Sequence, residues 1–322
     1  MTETISDQAK RAEQLDSIAQ KVANASARLP QMQDGSPEDA RALRAERGNP
    51  FQPPACELEG IDNVDIPCGE GTITLRIYKP KNEQVGQRPA LIYYHGGGFV
   101  LGDIDQYDTV TQQLALLSDC IVISVDYRLA PEVKIKEIHE EGFLAYEWVR
   151  NHAEELDIDE NRIAVGGDSA GGNLTVGVVF ACKRRQFPVP AFQLLIYPSI
   201  DLAMRHESVN EFADGYFLTK AGMNWFRSHY LESPEQAFVP ELDFLNGDLS
   251  DFPSTWLMTA GFDPLRDEGE AFAKRLQQFG IPTEHVCYTD MIHGFISFAG
   301  GISAGMQALE RMGEVLKSEL QA

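Results

Sequence analysis

The chain has 322 residues, 43% of them hydrophobic, so it can bury a sizeable core, and a disordered tail protein is excluded. Its 27 lysines and arginines against 49 aspartates and glutamates give a net charge of −22 with neutral histidines. A field of that sign repels phosphate backbones and anionic membrane surfaces, which argues against a nucleic acid or a membrane as partner.

Solubility or a salty habitat accounts for the charge before steering of a cationic substrate does. The five cysteines, Cys56, Cys68, Cys120, Cys182 and Cys287, show neither CxxC nor metal-ligand spacing, so no disulfide scaffold and no metal centre is expected. No stretch approaches about eighteen uncharged apolar residues. The opening MTETISDQAKRAEQ has no cationic start leading into an apolar run, so the expectation is a cytoplasmic protein without signal peptide.

Taken in order, Met1 to Leu29 carries spaced Ile5, Ala9, Leu15, Ile18, Val22 and Ala23 and stops before Pro30, which predicts a helical arm. From about Ile61 short β-branched runs alternate with longer helical ones, the pattern of a largely parallel α/β sheet. Strands are predicted at Asn63–Ile66, Thr72–Tyr78, Ala90–Tyr94, Ile121–Asp126, Arg162–Val165, Phe192–Tyr197, Thr255–Thr259 and Glu284–Tyr288. Helices are predicted at Asp105–Leu117, Ile135–Glu154, Ala170–Lys183, Arg266–Phe279 and Met306–Leu320. The interval Asp201–Pro253 is too long for a bare loop and reads as a helical insertion able to pair with the N-terminal arm. Of its Phe212, Tyr216, Phe217, Met223, Trp225 and Phe226, most are expected in the core and the rest in a pocket wall.

The strongest local signal is RIAVGGDSAGGNLTVGVV, in which a strand-like run ends at Gly167-Asp168-Ser169-Ala170-Gly171 and a small-residue helix begins. This is a GxSxG nucleophile elbow: a sharp turn presents Ser169, and the flanking Gly167 and Gly171 must lack bulk. The helix directs its amides and positive end toward the serine. Directly after the third strand, His95-Gly96-Gly97-Gly98-Phe99 leaves amides uncovered, so Gly97 and Gly98, joined by Ala170, can donate to a tetrahedral oxyanion. No GxxxxGK or GxGxxG pattern supports a nucleotide loop. His95 is expected to fasten its own loop.

A serine nucleophile on this layout takes its partners in the order Ser, Asp or Glu, His. His206 and His229 fall in the insertion and His285 within the last strand, which leaves His293, just beyond that strand in MIHGF. Asp263, immediately after the seventh strand, is favoured as the acid. Asp201 is the main rival, and Asp267 and Asp290 are nearby alternatives with turn, helix-start or solvated readings.

HGGGF, DYRLAPE at Asp126 to Glu132, GDSAGG at Gly167 to Gly172, DPLRDEG at Asp263 to Gly269 and IHGF at Ile292 to Phe295 together resemble the hormone-sensitive-lipase-like family of α/β-hydrolases. The resemblance spans roughly Gly71 to the C-terminus, and GDSAG resembles the branch with microbial acetyl esterases and short- to medium-chain carboxylesterases. It implies a Ser169, His293, Asp263 triad with Gly97, Gly98 and Ala170 as oxyanion donors, acting without cofactor or metal on a small-molecule ester. Asp126 in DYRLAPE reads as half of a structural salt bridge near Arg128. Asp290 departs from the glycine common in similar enzymes, which bears on loop shape and acyl preference.

The expected architecture is an α/β-hydrolase fold: an eight-stranded, mostly parallel sheet flanked by helices with a helical cap. Residues 1–50 form an arm of the cap, 51–200 the first part of the core, 201–253 the cap insertion and 254–322 the second part of the core. The same triad could serve an amidase, formamidase or carbamate hydrolase. A non-catalytic receptor of the plant gibberellin type lacks the triad histidine, whereas His293 is present. Members of the resembled family commonly form dimers, and the strand Glu284–Tyr288 would offer an edge for a homodimer if outermost. An edge facing solvent or covered by the C-terminal helix is equally compatible.

Overall fold

The computed structural model describes residues 11–69, 71–81 and 86–320. The sequence's N-terminal helix is α1, Ser17–Ala27, started by Asp16, whose carboxylate accepts from Ile18 and Ala19 N–H at 2.8 and 2.9 Å. The earlier part of that predicted helix, residues 1–10, lies outside the described residues. A second helix, α2 (Pro37–Arg47), follows from a capping box: Ser36 Oγ accepts from Asp39 N–H, and Asp39 accepts from Ser36 N–H. The Ser36-Pro37 start was present in the sequence but went unread as a separate helix.

The eight predicted strands are all present: β1 (Gly60–Cys68), β2 (Gly71–Lys79), β3 (Arg88–Tyr94), β4 (Ile121–Asp126), β5 (Ile158–Asp168), β6 (Phe192–Ile196), β7 (Ser254–Phe262) and β8 (Thr283–Ile292). They form one sheet in the order β1-β2-β4-β3-β5-β6-β7-β8, antiparallel across β1, β2 and β4 and parallel from there on. The helices α3 (Asp108–Ser118), α4 (Ile135–Asn151), α5 (Ala170–Arg185), α8 (Arg266–Gln278) and α9 (Ser303–Leu320) supply the crossovers and covers.

Alternation along the strands builds two cores. Ala90, Ile92 and Tyr94 of β3 pack with Phe143 and Tyr146 of α4, Leu174 and Val178 of α5 and Phe272 of α8. Leu91 and Tyr93 face the opposite layer, with Leu114 of α3 and Leu309, Met312 and Leu316 of α9. Burial on both faces is what lets β3 and β4 read as continuous apolar runs rather than as alternating ones.

The insertion contains one full helix, α7 (Lys220–Tyr230), a single turn α6 (Ser208–Glu211) and 3₁₀ turns at Pro234–Phe238 and Phe244–Asn246, so it is less helical than expected. Its shape comes from side-chain ties such as Lys134 Nζ donating to His229 O at 2.5 Å and Arg205 pairing with both Asp201 and Asp243. It meets the N-terminal arm at Gly222, over Met32 and Gln33.

DYRLAPE also differs from expectation. Arg128 pairs with buried Glu141 rather than with Asp126, which accepts from Ile104 N–H instead. The motif ties together its neighbours: Glu132 takes Arg41 of α2 bidentately at 2.7 and 2.9 Å. Arg41 also donates to Val100 O and Ala130 O at 2.8 and 2.7 Å, clamping the arm onto the core. Replacing Arg41 by Ala removes a fork that satisfies two backbone carbonyls and a carboxylate. It is expected to lower unfolding free energy by about 1–3 kcal/mol, read from the urea midpoint.

Candidate active site

Ser169 links β5 to α5 with φ 56° and ψ −118°, a conformation that side-chain-bearing residues avoid. Two close approaches hold it there. A Cβ on Gly167 would lie 2.3 Å from Tyr94 O, and one on Gly171 would lie 1.8 Å from the same oxygen. Ser169 N–H donates to Ile196 O at 2.9 Å, fixing the elbow against β6.

His293, at the end of β8, points its Nε2 at Ser169 Oγ, 2.9 Å away, and its Nδ1 at Asp263 Oδ2, 2.7 Å away. Asp263 is fully buried beyond β7, and its other oxygen accepts from Leu265 N–H at 2.8 Å. The geometry fits an imidazole protonated at Nδ1 and open at Nε2 to the serine proton. Tyr197 packs its ring against His293 with centroids 4.7 Å apart. The rival acids go elsewhere. Asp201 is engaged by Arg205, Asp267 pairs with Arg266, and Asp290 lies where its backbone carbonyl accepts from Asp16 N–H.

Gly97 and Gly98, at φ 122° and 63°, wrap the loop after β3 around the serine, and Ala170 opens α5 beside it. Ser169, Gly97, Gly98 and His293 line one cavity of about 530 Å³, walled also by N-terminal arm residues such as Val22 of α1, Leu29 and Leu43 of α2. Ser169, Gly98 and Ala170 also line a second pocket of about 40 Å³, closed by Leu202, Leu218, Met223 and Tyr230. Phe226 lines both, its ring pressed over Gly98, where a Cβ would come within 2.4 Å. Of the insertion's large apolar set, Phe217, Met223 and Phe226 reach these walls, while Phe212 packs into the core against Phe262.

His95 is buried, stacked on Tyr127 with centroids 4.4 Å apart, and Tyr127 OH donates to His95 O at 2.7 Å. Burial pushes its imidazole down to about 4, so it stays neutral and fastens the loop. The larger tie went unread in the sequence. Asp168, beside the nucleophile, accepts from Gly96 N–H at 2.8 Å, Tyr93 OH at 2.8 Å and Tyr107 OH at 3.0 Å, joining the elbow to the glycine loop. A buried aspartate inside GxSxG was the available signal.

Glu268 was also missed. It is fully buried, and its Oε1 accepts from Ile200 and Asp201 N–H at 2.7 and 3.2 Å, holding the turn that lines the smaller pocket. Burial first, then the charges of Asp201 and Asp263, raises its carboxyl well above the usual range.

With the geometry assembled, comparison places the chain. A family model described as alpha/beta hydrolase fold matches residues 91–297, more than half of the chain. The chain belongs to the α/β-hydrolase fold family. The match and the motif order place it in the hormone-sensitive-lipase-like branch. Among curated relatives, esterase LipI of Mycobacterium tuberculosis is 37% identical over 82% of this chain and 83% of its own. The ethyl acetate hydrolase of Pseudomonas putida is 32% identical over 83% and 85%. The solved ester-hydrolase EH1AB1 from the metagenome of Lake Arreo, complexed with a derivative of bipyridine phosphonate, superposes at a TM-score of 0.92 with 36% identity, over 96% of this chain and all of that one.

Because the folded pKa of Glu268 is raised, its favourable contribution is complete below the unfolded value and is lost as pH rises toward the folded value. Glu268→Gln, permanently neutral, is therefore expected to show a higher urea midpoint than the parent at pH 8, the gap closing toward pH 4.5.

Proposed function

We propose that the protein is a serine carboxylesterase hydrolysing esters of short acyl groups through a covalent acyl-enzyme. The observation that carries this reading is the single imidazole, His293, bonded at once to Ser169 Oγ and Asp263 Oδ2 beside the Gly97, Gly98 and Ala170 amides. Ser169 attacks the carbonyl carbon while His293 Nε2 takes its proton, and the three amides stabilise the tetrahedral oxyanion. Asp263 fixes the imidazole tautomer and steadies the imidazolium without taking a proton. His293 then returns the proton to the leaving alkoxide, and a water it deprotonates releases the acid.

Substrate orientation follows from the same proton. The leaving oxygen must receive it from His293, which lines the 530 Å³ cavity, so the alcohol occupies that side and the acyl chain the 40 Å³ pocket. At about one water-sized group per 10–15 Å³, the smaller pocket takes roughly three to four non-hydrogen groups beyond the carbonyl. This supports acetyl to butyryl esters of bulky alcohols.

In this reading, residues 1–50 and 201–253 act as the cap over a core of 51–200 and 254–322. Two copies would pair through β8, which is outermost in the sheet, although residues 12 and 16 already bond to its Thr289 and Asp290 carbonyls. None of the five cysteines is in a disulfide, which suits the reducing cytoplasm. Among the described residues no helix is long and apolar enough to cross a membrane.

Two measurements test this. Ser169→Ala is expected to lower kcat on 4-nitrophenyl acetate by about 10⁴-fold or more, and Asp263→Asn by about 10⁴-fold, with KM little changed. Substantial turnover by the serine variant would move the nucleophile elsewhere, and comparable hydrolysis of the matching acetanilide would favour an amidase. In a 4-nitrophenyl ester series from acetyl to palmitoyl, kcat/KM is expected to peak at or below butyryl. Phe226→Ala, which joins the two cavities, is expected to shift the optimum upward by at least two carbons.

A further inference from the structure

The acyl-side pocket holds a cation that apolar acyl chains do not require. Arg227, on α7, lines the pocket together with Ser169, Ser199 and Asp201 in an otherwise largely apolar wall. Among the described residues no carboxylate lies within ion-pair distance of it. Its Nη1 makes only long contacts, to Met204 Sδ at 3.5 Å and Asn224 Oδ1 at 3.4 Å. Its Nε is buried and has no hydrogen-bond partner there. Other arginines nearby are treated differently: Arg205 is held by Asp201 and Asp243, and Arg266 by Asp267 and Glu211. A buried N–H left unpaired carries the full cost of its lost hydration unless an acceptor arrives.

We infer that Arg227 is a specificity-determining residue that receives an oxygen atom of the acyl group. The preferred acyl chains are then short ones bearing a neutral acceptor, the 3-hydroxy and 3-oxo acyls being the sizes that fit. A neutral oxygen is favoured over a carboxylate because a succinyl chain would place five non-hydrogen atoms beyond the carbonyl in a pocket with room for about three to four. Asp201 itself does not compete for Arg227, since its oxygens already accept from Ala203 N–H, Arg205 N–H and Arg205 Nε. The inference rests on the esterase reading and on the acyl chain entering this pocket.

The test compares 4-nitrophenyl 3-hydroxybutyrate with 4-nitrophenyl 3-methylbutyrate, near-isosteric acyls that differ in the acceptor oxygen. Active sites are counted by titration with a serine-directed organophosphate. The parent is expected to favour the hydroxy ester at least tenfold in kcat/KM. Arg227→Met, which keeps the bulk of the side chain, is expected to bring the ratio near one, and Arg227→Lys to restore part of it. Because each ratio is internal to one preparation, partial unfolding of a variant cancels. A parent ratio at or below one, or a ratio unchanged in Arg227→Met, would overturn the inference. So would an Arg227-dependent preference for the hemisuccinate, which would make the ligand an anion. Failure of the parent on both esters and on 4-nitrophenyl acetate would instead sink the esterase reading, and this inference with it.

Discussion

Ser169 occupies a backbone conformation that costs a side-chain-bearing residue about 1–3 kcal/mol, and the contact that holds it there is the passage of Gly167 and Gly171 against the Tyr94 carbonyl. No Cβ fits at either glycine, so β3 and the elbow approach more closely than two ordinary strands and a helix would allow. That approach sets the distance between the serine and the glycine loop, because the loop begins at His95, one residue beyond Tyr94. It also aims the start of α5, with Ala170, at the same point. Ser169, His293 and Asp263, the Gly97, Gly98 and Ala170 amides and both cavities are arranged around this crossing.

Buried polar groups then lock the crossing in one geometry. Asp168 spends both carboxylate oxygens on the loop and two tyrosines, and burial raises its carboxyl even as those three donors pull it down. Glu268 holds the turn after β6 through one oxygen, Oε1, while burial and the neighbouring Asp201 and Asp263 raise its carboxyl. Such groups contribute modestly to net stability but penalise every alternative packing that leaves them unpaired. A site that must hold donors within a few tenths of an ångström of a transition-state oxygen depends on that penalty.

The N-terminal arm and the insertion add shape rather than chemistry. Arg41 and Glu132 clamp α2 to the loop that follows β4, and α7 lays Phe226 over Gly98, so two segments far apart in the chain enclose one nucleophile. The enclosure is lopsided: the histidine faces the roomy side and the confined side lacks it. Under the proposed mechanism, a proton passing from His293 to the departing oxygen would turn this asymmetry into a rule for which half of an ester goes where.

Much of this was legible in the residues. Short β-branched runs between helical stretches marked all eight strands, because a sheet buried on both faces leaves an uninterrupted apolar signature. Ser169, His293 and Asp263 were readable because chain order and strand ends restrict which side chains can meet at the top of such a sheet. The irregular cap was not, since its turns are fixed by single ties such as Lys134 to His229 O rather than by periodicity. Nor were Asp168, Glu268 and Arg227, whose roles depend on what lies across space from them. The sequence by itself thus determined the fold and which serine, histidine and aspartate meet, all of which follow from local pattern and order. Only the tertiary structure decided the partner of each buried charge and the size of each pocket, because both are sums over residues brought together from every part of the chain.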